Sequence, residues 1–325
     1  MRLLVTGGAG YIGSVVAAQL IAAGHDVTVL DNLSTGHADA VPPGATFVVG
    51  DVRGKAAEVL AGGIDAVLHF AARSLVGESV ANPALYWDNN LGGSLALLEA
   101  MRATQVRSIV FSSTASTYGE PESVPIDEGA PTRPTSPYGA SKLAVDTALA
   151  EYARLFGFGA ISLRYFNVAG AHRMAGASGE AETWLGERHT VETHLVPNIL
   201  RIASENSGSV SIFGDDYPTA DGSCVRDYLH VTDLAAAHLL AIDACRSGQH
   251  TIYNLGSGTG YSNFEVLGAC REVTGLEIPA KVVGRRAGDP AVLIASSERI
   301  GRDLGWKPEC GLRDMVADAW ACGYR

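Results

Sequence analysis

A chain of 325 residues, 47% hydrophobic and with 38 glycines, has the length and apolar content of a compact α/β protein of about two domains. Its formal net charge of −11, with no basic run, argues against a nucleic-acid or anionic-membrane binder. Phosphate binding remains open, since it needs only local amides and a few arginines. Five scattered cysteines (Cys224, Cys245, Cys270, Cys310, Cys322) without C-x-x-C spacing point to free thiols in a reducing cytoplasm, not to disulfides or a metal site.

Taken in order, the chain opens directly on a strand at Arg2–Val5, with no signal peptide expected and no apolar run long enough to span a membrane. Thr6-Gly7-Gly8-Ala9-Gly10-Tyr11-Ile12-Gly13 then sets glycines at 7, 10 and 13 before a helix over 14–23. Gly7 permits a tight turn, Gly10 lets amides approach a pyrophosphate, and Gly13 lets helix and strand pack closely, with the helix N-terminus facing the phosphates. A second strand over 26–30 leads to Asp31, whose carboxylate can hold both hydroxyls of an adenosine ribose. With no arginine at 31–35, NAD is favoured over NADP. A strand over 46–49 runs into Gly50-Asp51-Val52, a candidate adenine-side contact. Another over 66–70 ends in Ala71-Ala72, small enough for the strand end to lie against a dinucleotide; His69 within it reads as a core residue. A long helix is expected over 86–101, with Asn89 and Asn90 near its start. Strands over 108–111 and 160–164 lead to Ser112-Ser113-Thr114 and Tyr165-Phe166-Asn167. Alternating strands and helices imply a Rossmann-type, doubly wound parallel sheet whose ligands gather at the carboxyl ends of its strands.

Between those last two strands lies Ser136-Pro137-Tyr138-Gly139-Ala140-Ser141-Lys142. Pro137 suits a first helical turn and Ser136 can cap it. Four residues apart, Tyr138 and Lys142 would then share one helix face, within reach of one substrate. A phenol acting near neutrality must shed roughly 3 pKa units, about 4 kcal/mol, which one ammonium at about 4 Å can supply.

Beyond about residue 168 the texture changes, and two units are expected: 1–168, binding NAD, and 169–325, binding substrate with segments returning to the first. Helices are expected over 231–244, capped by Thr232 or Asp233, and over 263–274, with a strand over 251–255 between them. The cleft between the units is the default site.

These residues together resemble the extended short-chain dehydrogenase/reductase superfamily, and within it the UDP-glucose (UDP-galactose) 4-epimerases. The likeness runs through nearly the whole chain. It includes the 5–14 glycine stretch, Leu30-Asp31-Asn32, His69-Phe70-Ala71, Val76-Gly77-Glu78-Ser79, Phe111-Ser112-Ser113, the Tyr138/Lys142 stretch and Leu163–Asn167. Further on it takes in Ile212-Phe213-Gly214, Val225-Arg226-Asp227-Tyr228, Tyr253-Asn254-Leu255-Gly256, Arg286 and Asp289. The resemblance implies an isomerase that passes through a 4-keto sugar with tightly bound NAD. It gives Tyr138 the sugar O4 proton, Lys142 the lowering of the Tyr138 pKa, and Thr114 the bridge between the sugar oxygen and Tyr138. It implies that Gly7, Gly10, Tyr11, Ile12, Gly13, Asp31, Asn32, Asp51, Val52, Phe70, Ala71, Ala72, Asn89, Ser112, Tyr138, Lys142 and Tyr165 bind the cofactor. Thr114, Asn167, His194, Leu195, Phe213, Arg226, Arg286 and Asp289 are implied for the UDP-sugar, and a homodimer built on two helices for the assembly.

Three positions depart from the pattern: Ser74 where some members have a lysine, His194 where Asn is common, and Leu293 at a sugar-pocket gate that is Tyr or small elsewhere. The rival readings are a 4-epimerase of UDP-N-acetylhexosamine or UDP-pentose, a nucleotide-sugar 4,6-dehydratase, and an inert NAD-binding sensor. A dehydratase wants an acid and a base after Thr114, where this chain has Ala115-Ser116, and sensors usually lose the tyrosine or the lysine.

Overall fold

The computed structural model describes residues 1–174, 183–286 and 288–323. Its centre is a parallel sheet with six strands in chain order: β1 (Arg2–Thr6), β2 (Asp26–Asp31), β3 (Thr46–Val49), β4 (Ala66–His69), β5 (Ser108–Thr114) and β6 (Gly159–Tyr165). A seventh strand, Gln249–Leu255, comes from far along the chain and pairs with β6 from Gln249↔Gly159 to Leu255↔Tyr165. The spatial order is Gln249–Leu255, β6, β5, β4, β1, β2, β3. The chain thus winds outward from β1 in both directions, and the reversal lies between β1 and β4, paired from Leu3↔Ala66 to Thr6↔His69. A reversal of this kind opens a crevice at the carboxyl ends of the strands, where the candidate residues cluster.

Both faces of the sheet are covered, which is why β1 and β4 read as unbroken apolar runs instead of alternating. On one face the core is built with α1 (Tyr11–Ala22) and the helix Val231–Ala244. On the other it is built with α2 (Val52–Ala61) and the helices Gly93–Ala103 and Pro137–Phe156. A second core joins the helices Leu195–Glu205, Asn263–Thr274 and Leu312–Gly323. It adjoins a small sheet whose hub is Val225–His230, pairing Tyr228↔Asn167, Arg226↔Leu293 and Arg226↔Tyr261.

Two local expectations are corrected. The helix expected over 86–101 is instead Pro83–Tyr86, a wide π turn at Trp87–Gly92, and Gly93–Ala103. The cause is tertiary. Asn90 is buried, accepts from the Arg73 amide at 2.8 Å, and donates to the Arg73 carbonyl and the Ser141 hydroxyl at 3.0 and 3.1 Å. Those anchors fix the turn, and the glycine pair that ends it tolerates the irregular pitch. The helix Val231–Ala244 is capped by His230, whose Nδ1 accepts from the Thr232 amide at 3.1 Å, and not by Thr232 or Asp233. Asp233 accepts from the amides of Glu309 and Cys310 instead, at 3.1 and 3.0 Å.

Candidate active site

The glycine turn after β1 takes the form that a dinucleotide requires. Gly7 has φ +73°, and a Cβ there would stand 2.5 Å from the Ala71 amide nitrogen, so β1 and β4 end in contact. A Cβ at Gly13 would stand 2.3 Å from the Gly7 carbonyl, so the first turn of α1 is laid directly on the loop. Beside them opens a cleft lined by Gly7, Gly10, Asp31, Asn32, Asp51, Val52, Phe70, Ala71, Ala72 and Asn89. Ten of the expected cofactor residues therefore meet in one place. Tyr11, Ile12 and Gly13 sit in the first turn of α1 behind it, and the Tyr11 hydroxyl donates to the Gly170 carbonyl at 2.6 Å.

Asp31 closes one end. Its Oδ2 accepts from the Ala9 amide at 3.0 Å and its Oδ1 from the Leu33 amide at 2.8 Å. Each oxygen keeps lone-pair capacity for a hydroxyl donor, so the carboxylate is held ready for a ribose diol. Sequence reading missed Arg53 and Arg73, which also line this cleft. Arg53 is committed to Asp88 at 3.0 Å and lies 3.7 Å from Asp51, so its charge is balanced locally. Arg73 stands next to Ser74, the position where a lysine is absent. The Ser34-Thr35-Gly36 turn lines the cleft too, and its small polar residues, one position beyond Asp31-Asn32, are the signal that could have found it. The cradle fits NAD: the glycine surface leaves room for a pyrophosphate, and Asp31 matches a free 2′-hydroxyl.

The second group stands at the ends of β5 and β6, where Thr114 is paired with Tyr165. Ser136 caps the helix Pro137–Phe156, its hydroxyl accepting from the Gly139 amide at 3.2 Å. A Cβ at Gly139 would stand 2.4 Å from the Ser116 carbonyl, so the helix start is pressed onto the turn that follows Thr114. This approach brings the Thr114 hydroxyl to Tyr138. One helical turn on, Lys142 is 3% exposed and donates from Nζ to the Ser112 carbonyl at 2.7 Å, with the Phe111 ring 4.8 Å away. Burial lowers the Lys142 pKa to about 7, opposed by Asp146 a further turn along. The expected lowering of the Tyr138 phenol by Lys142 is not what this geometry produces. Burial pushes the phenol above its ordinary range, and the Thr114 hydrogen bond opposes that rise. Tyr165 is likewise pushed up by burial, opposed by a hydrogen bond with Ser112. His69 is a core residue, as expected: Nδ1 meets the Thr6 hydroxyl at 2.6 Å and Nε2 the Ser94 hydroxyl at 2.9 Å.

Across the crevice the candidate sugar-nucleotide residues form pairs. The Arg286 guanidinium lies 3.9 Å from the centre of the Phe213 ring, Arg226 lies 3.5 Å from Asp289, and the Asp289 amide donates to the Arg286 carbonyl at 3.3 Å. Carbonyls of Val225 and Pro290 hold the Arg226 guanidinium at 2.9 and 2.8 Å. Asn167 donates to the Asp227 carbonyl at 3.0 Å, and Leu293, the expected gate residue, pairs with Arg226. Leu195 opens the helix Leu195–Glu205, and His194, just before it, turns its Nδ1 onto Glu187. Asp227 was missed by sequence reading. Fully buried, it accepts from the Ser257, Gly258 and Ala295 amides at 2.7, 3.0 and 3.0 Å, tying two distant segments to the Arg226 strand.

Comparison with known proteins agrees with this layout. The profile of the NAD dependent epimerase/dehydratase family matches residues 3–256. The UDP-glucose 4-epimerase of Corynebacterium glutamicum is 56% identical over 323 residues, covering 99% of this chain and 95% of that protein. The one from Streptomyces lividans is 54% identical over 325 residues, covering 98% and 95%. The crystal structure of UDP-glucose-4-epimerase from Stenotrophomonas maltophila, with bound NAD and formylated UDP-arabinopyranose, superposes with a TM-score of 0.91 at 41% identity, covering 99% of this chain and 97% of that one.

Proposed function

The chain belongs to the NAD dependent epimerase/dehydratase family, and on that premise we propose that it acts as a UDP-glucose 4-epimerase, interconverting UDP-galactose and UDP-glucose through a 4-keto sugar. The observation that carries this reading is a dinucleotide cradle beside the end of β4 and, at the end of the neighbouring strand β5, a Tyr138–Thr114 proton station with no carboxylate directly after Thr114. Asp31 holds the adenosine ribose, and the glycine turn with the N-terminus of α1 receives the pyrophosphate. Tyr138 accepts the proton of the sugar 4-hydroxyl and later returns it, with Thr114 bridging the two oxygens. Lys142, anchored on Ser112, orients the nicotinamide ribose. NAD held by this cradle would supply the hydride acceptor and donor for the sugar C4, and its positive charge would favour a Tyr138 phenolate. Arg226 and Arg286 receive the diphosphate of the UDP-sugar, a role for permanently charged, forked donors. Positioned proton transfer of this kind is worth about 10²–10⁴-fold.

The test is conversion of UDP-galactose to UDP-glucose by purified protein without added NAD. Wild-type protein is expected to convert it, and Tyr138→Phe to lose about 10²–10⁴-fold in rate with an unchanged circular-dichroism spectrum. No conversion, even with NAD supplied, would sink the glucose/galactose assignment. UDP-N-acetylglucosamine and UDP-pentoses would be the next substrates, since the Leu293 gate is intermediate in bulk. No helix among the described residues is long and apolar enough to cross a membrane. The unpaired cysteines support a cytoplasmic placement. We divide the chain at about residue 168, with the Gln249–Leu255 strand returning to the NAD-binding unit, and assign the active form as a homodimer, tested below.

A further inference from the structure

Between the strand Thr183–Gly186 and the helix Leu195–Glu205 the chain turns back on itself. Glu187, His189, Glu192 and His194 each direct one donor atom inward, and the four atoms lie within 4.8 Å of one another. His189 Nδ1 is 3.1 Å from Glu187 Oε1 and 3.5 Å from Glu192 Oε2, while His194 Nδ1 is 3.6 Å from Glu192 Oε1 and touches Glu187 Oε1. Around a tetrahedral ion with bonds of about 2.0–2.2 Å, neighbouring donors stand about 3.3–3.6 Å apart. Three of the separations here, 3.1, 3.5 and 3.6 Å, are on or near that scale. The two carboxylates are enclosed, with side chains only 6% and 12% exposed.

A plain imidazolium–carboxylate cluster accounts for this arrangement less well. It would put two like charges side by side, with ring centres 5.5 Å apart, both aimed at the same Glu187 oxygen. It would also leave the His189 Nδ1, 3.1 Å from Glu187 Oε1, without a well-aligned hydrogen bond to either carboxylate. Two neutral imidazoles and two carboxylates around one dication carry no net charge and no such repulsion. The ligands are also braced from outside. Glu192 Oε1 accepts from the Thr193 and His194 amides at 2.7 Å each, and Arg188 is turned away to Asp39 at 2.8 Å. Backing of ligands by outer hydrogen bonds is usual for metal sites.

We propose that Glu187, His189, Glu192 and His194 form a binding site for a divalent transition-metal ion of the zinc class. Four protein donors fill a tetrahedral shell, so the site is structural: it clips the loop before Leu195 and sets the start of that helix. It also commits His194 to the ion and not to the sugar. The metal site itself does not depend on the epimerase reading.

The experiment uses tag-free holoenzyme. After desalting and treatment with a chelator it is titrated with Zn²⁺ alone, with bound zinc read by mass spectrometry and the unfolding temperature recorded. One zinc per chain is expected, with a rise in unfolding temperature of at least about 2 °C at saturation. His189→Ala and Glu192→Gln are each expected to weaken zinc binding at least about tenfold and to lose the thermal rise. Wild-type protein that takes up no zinc, or variants that bind it as tightly as wild type, would overturn the assignment. Should His189→Ala fold poorly, the wild-type stoichiometry and the nearly isosteric Glu192→Gln still decide. Epimerase activity plays no part in the readout, so a failure here and a failure of the epimerase reading are told apart.

Discussion

Lys142 is the residue whose burial has the clearest measurable consequence. Its pKa falls from 10.5 to about 7 through burial, with Asp146 opposing. The unfolded chain keeps that proton to about pH 10.4. Between pH 7 and about 10 the unfolded state therefore binds more protons than the native one, and stability rises with pH across that window. Below pH 7 both states carry the proton and the penalty of burying the ammonium is felt in full. Lys142→Met keeps the length without the charge and is expected to flatten the rise. Urea midpoints of cofactor-stripped wild type and variant at pH 7 and about 9.5 measure it, and parallel slopes would contradict the assignment. At this scale the proposed acid–base pair, Tyr138 and Lys142, and the proposed ribose-binding Asp31 are legible in the amino-acid sequence, because they are chosen by chemistry that few other residues can perform. Asp227 and the buried Arg164–Asp146 pair, 2.9 Å apart, are not. Their roles consist of contacts between segments far apart in the chain, and no local pattern announces such contacts.

Helix and strand placement shows the same division between local and tertiary causes. The helix at Pro137 is readable from its serine cap and its proline, and the strands from apolar runs closed by polar turns. The π turn at Trp87–Gly92 and the His230 cap are hidden because distant partners of Asn90 and Asp233 override local preference. Gly139 lets that override be measured. By propensity alone Gly139→Ala would stabilise the helix by about 0.8–1 kcal/mol. The added Cβ, however, would stand 2.4 Å from the Ser116 carbonyl, a backbone atom that cannot rotate aside. The expected outcome is a net loss of about 1–3 kcal/mol in urea unfolding, because the clash outweighs the propensity. A fall in kcat should accompany it, with NAD still retained, because the helix start is levered away from Thr114. A variant as stable and as active as wild type would show that this close approach does not position Tyr138.

For the whole molecule, the proposed dimer rests on the two helices that carry this machinery. Gly93–Ala103 and Pro137–Phe156 cover the same face of the sheet and share one core. Their outer sides nevertheless leave Leu95 37%, Leu155 56% and Phe156 41% exposed, and Trp87 in the π turn before the first of them is 40% exposed. Exposed apolar side chains gathered on neighbouring helices mark a surface that a partner covers. Two such helices related by a two-fold axis make a four-helix bundle, in which each copy offers the same patch to the other. The net charge of −11 opposes association, so the dimer is expected to tighten as salt screens the repulsion. Light scattering at micromolar concentration is expected to give about twice the 33.9 kDa chain mass. Leu95→Glu places a carboxylate on the patch without touching the buried core, so it is expected to yield a folded monomer. A leucine lost from a packed interface and an unpaired charge put there cost at least about 2–4 kcal/mol, or roughly 30- to 1,000-fold in the dimer dissociation constant. A wild-type monomer under these conditions, or a Leu95→Glu dimer as tight as wild type, would move the interface off these helices. Because Tyr138 and Lys142 lie in the first two turns of the helix that ends at this surface, the monomer is also the form in which to ask whether pairing steadies the reacting groups.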